Sequence, residues 1–330
     1  MKFSSVILLL ATAAAPAAAF NMQPSTFVRK SSVSSSTTLF AEVSIAMIKE
    51  LREETGAGMM DCKKALITAD GSVEEATAAL RKAGLAKADK KASRVAAEGK
   101  VVAASSGGRS VVIEVNCETD FVAKDSGFLG FCEKVAGAAL AIDGENVDAL
   151  MSSDLEGQSV EDTRAALVSK IGENIQVRRV VEIGSSSTTS GAYVHMGKIG
   201  VLVELEGGSE EVAQNVAMHV AAMDPLYATK EDVPAEDLEK ERAILTAQVE
   251  DSGKPANIIE KMVEGRLRKY LEEKCLVSQT YVKTNDKTVE EYLSQNDAKM
   301  LGFKRITVGE GIEKKTDDFA AEVAAMAGGN

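Results

Sequence analysis

The sequence predicts an α+β fold: a three-helix module, then two related units that each pair an antiparallel sheet with packed helices, the second carrying a helical-hairpin insertion. Three observations predict it. Residues 43–83 carry apolar side chains at three- and four-residue spacings, the period of a helix. From Lys100 the pattern changes to short runs rich in valine and isoleucine around glycine-bearing turns, the signature of hairpins. The plan of residues 99–184 then recurs, at the level of pattern, in residues 185–330. Composition agrees: 45% of residues are hydrophobic, enough to bury a core, but only 4% are aromatic and none is Trp, which favours alanine-rich helices over a sheet sandwich. A length of 330 residues suggests two or three domains.

Residues 1–40 stand apart, with no Asp or Glu. Lys2, the apolar run Val6 to Leu10 and the tract ending Ala17-Ala18-Ala19 read as the three regions of a secretory signal peptide. The run is too short to span a bilayer. Phe20 to Phe40 is rich in Ser and Thr, with Arg29 and Lys30, a transit-peptide composition. Together they resemble the bipartite presequence of algae with complex plastids. The expected destination is the plastid stroma, with no membrane segment in the mature chain. A plain secreted protein with a spacer and a mitochondrial address are the alternatives.

The three-helix module spans residues 41–85. Ile45, Ile48 and Leu51 form one stripe, and Gly56 and Gly58 interrupt it. Met59, Cys62, Ala65 and Leu66 form a second, ended by the Asp70-Gly71 turn. Ser72 and Glu75 are spaced as a capping box for a third helix with Val73, Ala76 and Leu80. Gly84 is placed as its left-handed cap. Such a small core is marginal alone and suits a docking module. Residues 86–98, with Lys87, Lys90, Lys91 and Arg94, read as a basic linker or a helix extension.

In the first unit, residues 101–104 and 111–115 flank Gly107-Gly108 as a hairpin. A helix with Phe128, Phe131, Val135 and Ala139 follows, then a capped helix from near Ser159 and a strand from Ile175 to Ile183. In the second unit, Tyr193 to Met196 and Ile199 to Leu205 flank Gly197-Lys198. A helix from about Ser209 to Met223 follows, and Gly302 to Val308 echoes Val177 to Val181. The insertion, residues 235–273, has Leu238, Leu245 and Val249 at coiled-coil spacing. After a turn at 251–254 with Pro255 at the next helix start, Ile259, Val263, Leu267 and Leu271 recur every four residues. Charged outer positions such as Glu239, Lys240, Glu260 and Lys261 favour an exposed arm.

Several functions are disfavoured. Taking Lys2, Arg29 and Lys30 from the 38 basic residues leaves 35 against 50 acidic ones, a net charge of −15 for the mature part. Such a body repels nucleic acid, whose binding needs clustered Lys and Arg. Cys62, Cys117, Cys132 and Cys275 form no C-x-x-C pair, and with His195 and His219 they give no zinc spacing. There is no phosphate-binding G-x-x-x-x-G-K-[ST] loop, no G-x-S-x-G elbow and no HExxH. Cys117, between acidic neighbours, is a poor nucleophile. A binding protein is the natural reading, against an adaptor module or a thiol enzyme using Cys117.

Specific segments carry a family resemblance. Glu50 to Leu66 (ELREETGAGMMDCKKAL) and Glu114 to Lys124 (EVNCETDFVAK) resemble the two signatures of elongation factor Ts. Ala217 to Ala222, Glu260 to Arg266, Val308 to Lys314 and Asp318 to Met326 continue the match in order, so it covers about residues 42–326 in the long bacterial form. The resemblance implies a guanine-nucleotide exchange factor for elongation factor Tu, with no cofactor and no covalent chemistry of its own. The N-terminal module would be ubiquitin-associated-like (UBA-like) and dock on the GTPase domain. The loop Thr119-Asp120-Phe121-Val122 would dislodge the partner's magnesium, Phe121 acting as a wedge. Asp120 would position the loop, by capping the next helix or by contacting the partner. Met59, Met60, Cys117 and His219 would contact the partner, as would Phe319, Val323 and Met326 of a C-terminal helix at 316–327. Read without the family, Asp120 merely caps, Phe121 packs under its own helix, and His219 is a satisfied core or surface histidine.

Overall fold

In a computed structural model of the chain, residues 43–250 and 255–313 are described. The presequence, the expected turn at 251–254 and the expected C-terminal helix with Phe319, Val323 and Met326 lie outside them.

The first module consists of α1 (Ile45–Thr55), α2 (Met59–Thr68) and α3 (Val73–Lys91) around Ile48, Leu51, Cys62, Leu66 and Ala76. Ser44 starts α1 by accepting the Met47 N–H, and Gly56 ends it at φ 67°, a left-handed conformation open to glycine. Ile45 does not join the stripe; it is 71% exposed. Each three-residue step falls about 60° short of a helical turn, so two steps carry Ile45 about 120° away from Leu51.

Ser72 accepts the Glu75 N–H at 3.2 Å, but its own N–H bonds Ala69 O, so the expected capping box is half formed. The helix expected to stop at Gly84 continues to Lys91. Gly84 is buried where α3 crosses a later helix, and a Cβ there would stand 3.7 Å from Ala165 O. It lies inside the helix, in ordinary contact with the later one, and is not a cap. The first half of the basic segment is therefore helical, and Lys87 pairs with Asp61 at 2.8 Å.

The first unit contains β1 (Glu98–Ser106), β2 (Arg109–Cys117), α4 (Ser126–Ala139), α5 (Val147–Ser152), the short β3 (Asp154–Leu155) and β4 (Gln158–Ser159), α6 (Val160–Ile171) and β5 (Ile175–Ile183). Its sheet runs β1-β2-β5, antiparallel throughout. Phe128, Phe131, Val135 and Ala139 pack α4 against Ile113 and Val115, as the spacing predicts. The α5 turn and the β3–β4 hairpin had no sequence signal.

The second unit contains β6 (Thr189–His195), β7 (Ile199–Gly207), α7 (Glu210–Met223), α8 (Ala235–Glu250), α9 (Ala256–Lys274), α10 (Val289–Ser294) and β8 (Ala298–Thr307), with sheet order β6-β7-β8. It repeats the first unit's topology: a hairpin, a helix, and a late strand antiparallel to the hairpin's second strand. Both second strands even shift register at matching places, Glu114/Val115 and Glu204/Leu205. A full capping box, absent at Ser72, occurs at Thr288 and Glu291.

The two sheets face each other across Val101, Val112, Leu202 and Ile306. Gly200 permits this approach, since a Cβ there would lie 2.3 Å from Val101 Cγ1. In the insertion, α8 and α9 bury Leu245, Val249, Val263 and Leu267 against one another as a separate small core. Glu239, Lys240, Glu260 and Lys261 are exposed on its outside. Pro255 is the residue just before α9, one position earlier than expected.

Candidate partner-binding site

The internal repeat isolates one feature that the fold itself does not need. In the second unit β7 passes to α7 through Gly208 and Ser209, and Ser209 caps the helix. In the first unit the same junction runs from Glu118 to Asp125 and includes a turn of 3-10 helix, Val122–Lys124. The helix cap is Asp125, whose Oδ1 accepts the Gly127 and Phe128 N–H groups at 2.9 and 3.1 Å. Asp120 is therefore not the cap. It pairs with Lys124 at 2.9 Å on the surface, and that hydrogen bond and charge hold its carboxyl below the usual range.

The four residues of the predicted loop divide by role. Thr119 donates both its N–H and its hydroxyl to Glu173, at 3.0 and 2.8 Å. With its proton so committed, the hydroxyl oxygen is left to accept the Val122 N–H at 3.4 Å. Val122 is buried in the first unit's core. Between these anchors Phe121 is 82% exposed, so it does not pack under its own helix. A lone exposed apolar residue is ordinary. A loop longer than its repeat requires, anchored on both sides of an exposed aromatic, is not. Ordering backbone costs about 1–2 kcal/mol per residue, and the Phe121 side chain recovers little of that inside its own chain.

Cys117 is wholly buried, with Sγ 3.1 Å from Thr119 O. Burial, and then the charge of Glu173, push its thiol up to about 12. The acidic neighbours Glu118 and Asp120 are not the cause. Cys117 thus supports the root of the loop rather than presenting itself to a partner, and it is no nucleophile. All four cysteines are buried. Native protein at pH 8 is expected to show no fast iodoacetamide labelling, and four thiols after denaturation; rapid native modification of Cys117 would reinstate the thiol-enzyme reading.

His219 is also wholly buried. Its Nδ1 lies 3.2 Å from the Val282 N–H and must accept, so Nε2 carries the proton and donates to Gln279 Oε1 at 2.9 Å. Burial lowers its pKa, consistent with a neutral ring. It is a satisfied core histidine and not an exposed contact. Met59 and Met60, at the start of α2, are 47% and 65% exposed, so Met59 does not join Cys62, Ala65 and Leu66 in the buried stripe, and Ile45 adds to the module's accessible apolar side chains.

Sequence reasoning missed two carboxylates. Glu173 is one. The other, Glu114, is fully buried, and its oxygens accept from Arg178, Arg179, Asn116 Nδ2 and the Gly309 N–H. Arg178 also reaches Glu310 O, and Arg179 reaches Thr307 O, so this knot ties the end of β8 to the first unit's sheet. A glutamate inside the apolar run 111–115, facing an Arg-Arg pair in another strand, was the available signal. Among the described residues no cluster of His, Cys, Asp and Glu could hold a metal ion, and no helix is long and apolar enough to cross a membrane.

A two-unit scaffold with Phe121 held outward on a braced loop is a surface suited to docking another macromolecule. The family model described as Elongation factor TS matches residues 118–310. Elongation factor Ts of Xanthomonas campestris pv. campestris (strain B100) is 52% identical over 290 residues, covering 87% of this chain and 99% of that protein. The proteins of the same name from Xanthomonas axonopodis pv. citri (strain 306) and Alkalilimnicola ehrlichii have the same identity and coverage. The chain belongs to the elongation factor Ts family. Members of this family are nucleotide-exchange factors for elongation factor Tu and carry out no covalent chemistry of their own.

Proposed function

We propose that this chain promotes GDP release from an organellar elongation factor Tu by inserting Phe121 where the partner holds magnesium and phosphate, and leaves when GTP binds. The observation that carries this reading is the braced exposure of Phe121. A GTPase holds its nucleotide through backbone N–H groups and a magnesium ion, so an inserted apolar ring that displaces their supports weakens GDP without replacing it. By linkage, the factor weakens GDP by the same coupling free energy with which GDP weakens the factor, roughly 3–6 kcal/mol for useful exchange. Asp120 assists at the loop surface, Met59 and Met60 dock the UBA-like module, and Phe319, Val323 and Met326 make the C-terminal contact. The acidic body disfavours direct contact with nucleic acid.

The relatives align with 290 of the 330 residues and over nearly all of their own length, which leaves about 40 residues here without a bacterial counterpart. That is the length of the acid-free N-terminal stretch and supports reading it as a presequence, which we place in the plastid on its signal-plus-transit composition. Fluorescent GDP bound to plastid elongation factor Tu is expected to dissociate many times faster when the chain is added. Binding without acceleration would make the chain an adaptor. A fluorescent protein fused behind residues 1–40 is expected in the stroma; mitochondrial signal would move the assignment there.

A further inference from the structure

We propose that Glu173, in the turn between α6 and β5, is a positioning residue that holds Phe121 in its presented orientation. This rests on the exchange reading above. Gly172 ends α6 at φ 92°, a left-handed conformation that turns the chain back and brings the next residue to the loop. Both Glu173 oxygens then go to Thr119, one to its N–H and one to its hydroxyl. Glu173 forms no ion pair among the described residues, so its carboxylate serves this one residue. The Thr119 hydroxyl passes the constraint on to the Val122 N–H. One carboxylate thereby fixes the backbone on both sides of Asp120-Phe121.

The grip is reciprocal. Glu118 Oε1, from the loop, accepts the Asn174 N–H at 2.6 Å. Asn174 is fully buried, and its Nδ2 donates to Ala92 O and Arg94 O just past the end of α3. The turn that holds the loop is thus itself braced against the end of the docking module.

The second unit supplies an internal control. There the turn before β8 meets the same strand-to-helix junction through Gly207 and Gly208, and a Cβ on Gly207 would stand 2.4 Å from Asp297 O. That contact is made by close backbone approach, with no carboxylate spanning it among the described residues. The clamp accompanies the long loop and the exposed aromatic, and is absent where the junction is short. It is a property of the presented loop, not of the repeated fold.

The test compares the full chain with its Glu173→Ala, Glu173→Gln and Phe121→Ala variants. In free Glu173→Ala, amide hydrogen exchange at Thr119 and Val122 is expected to rise at least about tenfold, since two hydrogen bonds to a charged acceptor are lost. Amides in the middle of α4 are expected to stay as they were. At saturating factor, Glu173→Ala is expected to slow GDP release from elongation factor Tu about tenfold while the half-saturating concentration moves less than about threefold, because positioning acts on the productive geometry rather than on docking. Glu173→Gln keeps one acceptor oxygen and is expected to fall between. Unchanged amide exchange at 119–122, or an unchanged saturating rate in the folded Glu173→Ala protein, overturns the proposal. So does a rise in exchange spread evenly through the first unit, which would make Glu173 a general stabiliser. Should Phe121→Ala itself leave GDP release untouched, the exchange reading fails, and the amide data still decide whether Glu173 orders the loop.

Discussion

Phe121→Ala is expected to slow the factor-stimulated release of GDP roughly 30-fold or more, with the melting temperature of the free protein unchanged to within about a degree. The two halves of that expectation have one cause. With 82% of the residue exposed, truncation removes almost no internal packing, and surface substitutions of this kind stay within about 0.5 kcal/mol. In the complex the same ring would enter the partner as a desolvated aromatic anchor. Truncating such an anchor costs about 2 kcal/mol or more, and each 1.36 kcal/mol is tenfold in rate. The loss is expected in the saturating rate more than in the half-saturating concentration, because the interaction is made only as the nucleotide site is disrupted. Stopped-flow release of fluorescent GDP over a range of factor concentrations separates the two parameters. A variant with parental kinetics would remove Phe121 from the mechanism.

The largest effect on stability is expected at Glu114. Its carboxylate is fully buried between Arg178 and Arg179 and also accepts the Asn116 side chain and the Gly309 N–H. Breaking one partner out of a buried ion pair costs about 3–5 kcal/mol. The arginines retain some solvent contact, so the low end applies. For a chain of this size about 3 kcal/mol corresponds to a fall of roughly 5 °C in melting temperature, and that fall is the expected result for Glu114→Gln.

The pH dependence has a definite sign. Burial acts to raise the Glu114 pKa, but the Gly309 N–H, Arg179 and Asn116 outweigh it and hold the carboxyl below its usual value. A group whose pKa is lower folded than unfolded stabilises the fold above its unfolded value, near 4.3, and loses that contribution as pH falls through the folded value. The gap between parent and Glu114→Gln is therefore expected to be full at pH 6–7 and to shrink below about pH 4. Melts at both ends of that range check it, and a gap that widens in acid would contradict the assigned charge.

The correct and incorrect expectations divide by the range of the interaction. The Gly107-Gly108 turn, the cap near Ser159, the helix start near Ser209 and the strand Ile175–Ile183 were legible because turn chemistry and periodicity are set within a few residues. Gly84 misled because a glycine that ends a helix and one that lies within it are locally alike; the helix runs on to Lys91, and its buried face there meets α6, far along the chain. Asp120 and Asp125 are both plausible caps by residue type. The choice depends on where α4 begins, and the 3-10 turn between them moves that start to Asp125. Cys117 and His219 sit in segments that match the family's motifs, yet burial takes both out of reach. Burial is a property of the assembled core and is not written into a short sequence motif.

By itself the sequence determined the main elements, their order, the repeat of one α+β plan and membership of a family, because each is carried by local pattern or by identity along the chain. Only the tertiary structure decided which way the side chains of the loop face. Phe121 points outward because Thr119 is held by a carboxylate 54 residues away and Val122 is held by the core. Neither partner is visible from the loop's own sequence, since a hydrogen bond across that separation exists only once β5 has paired with β2.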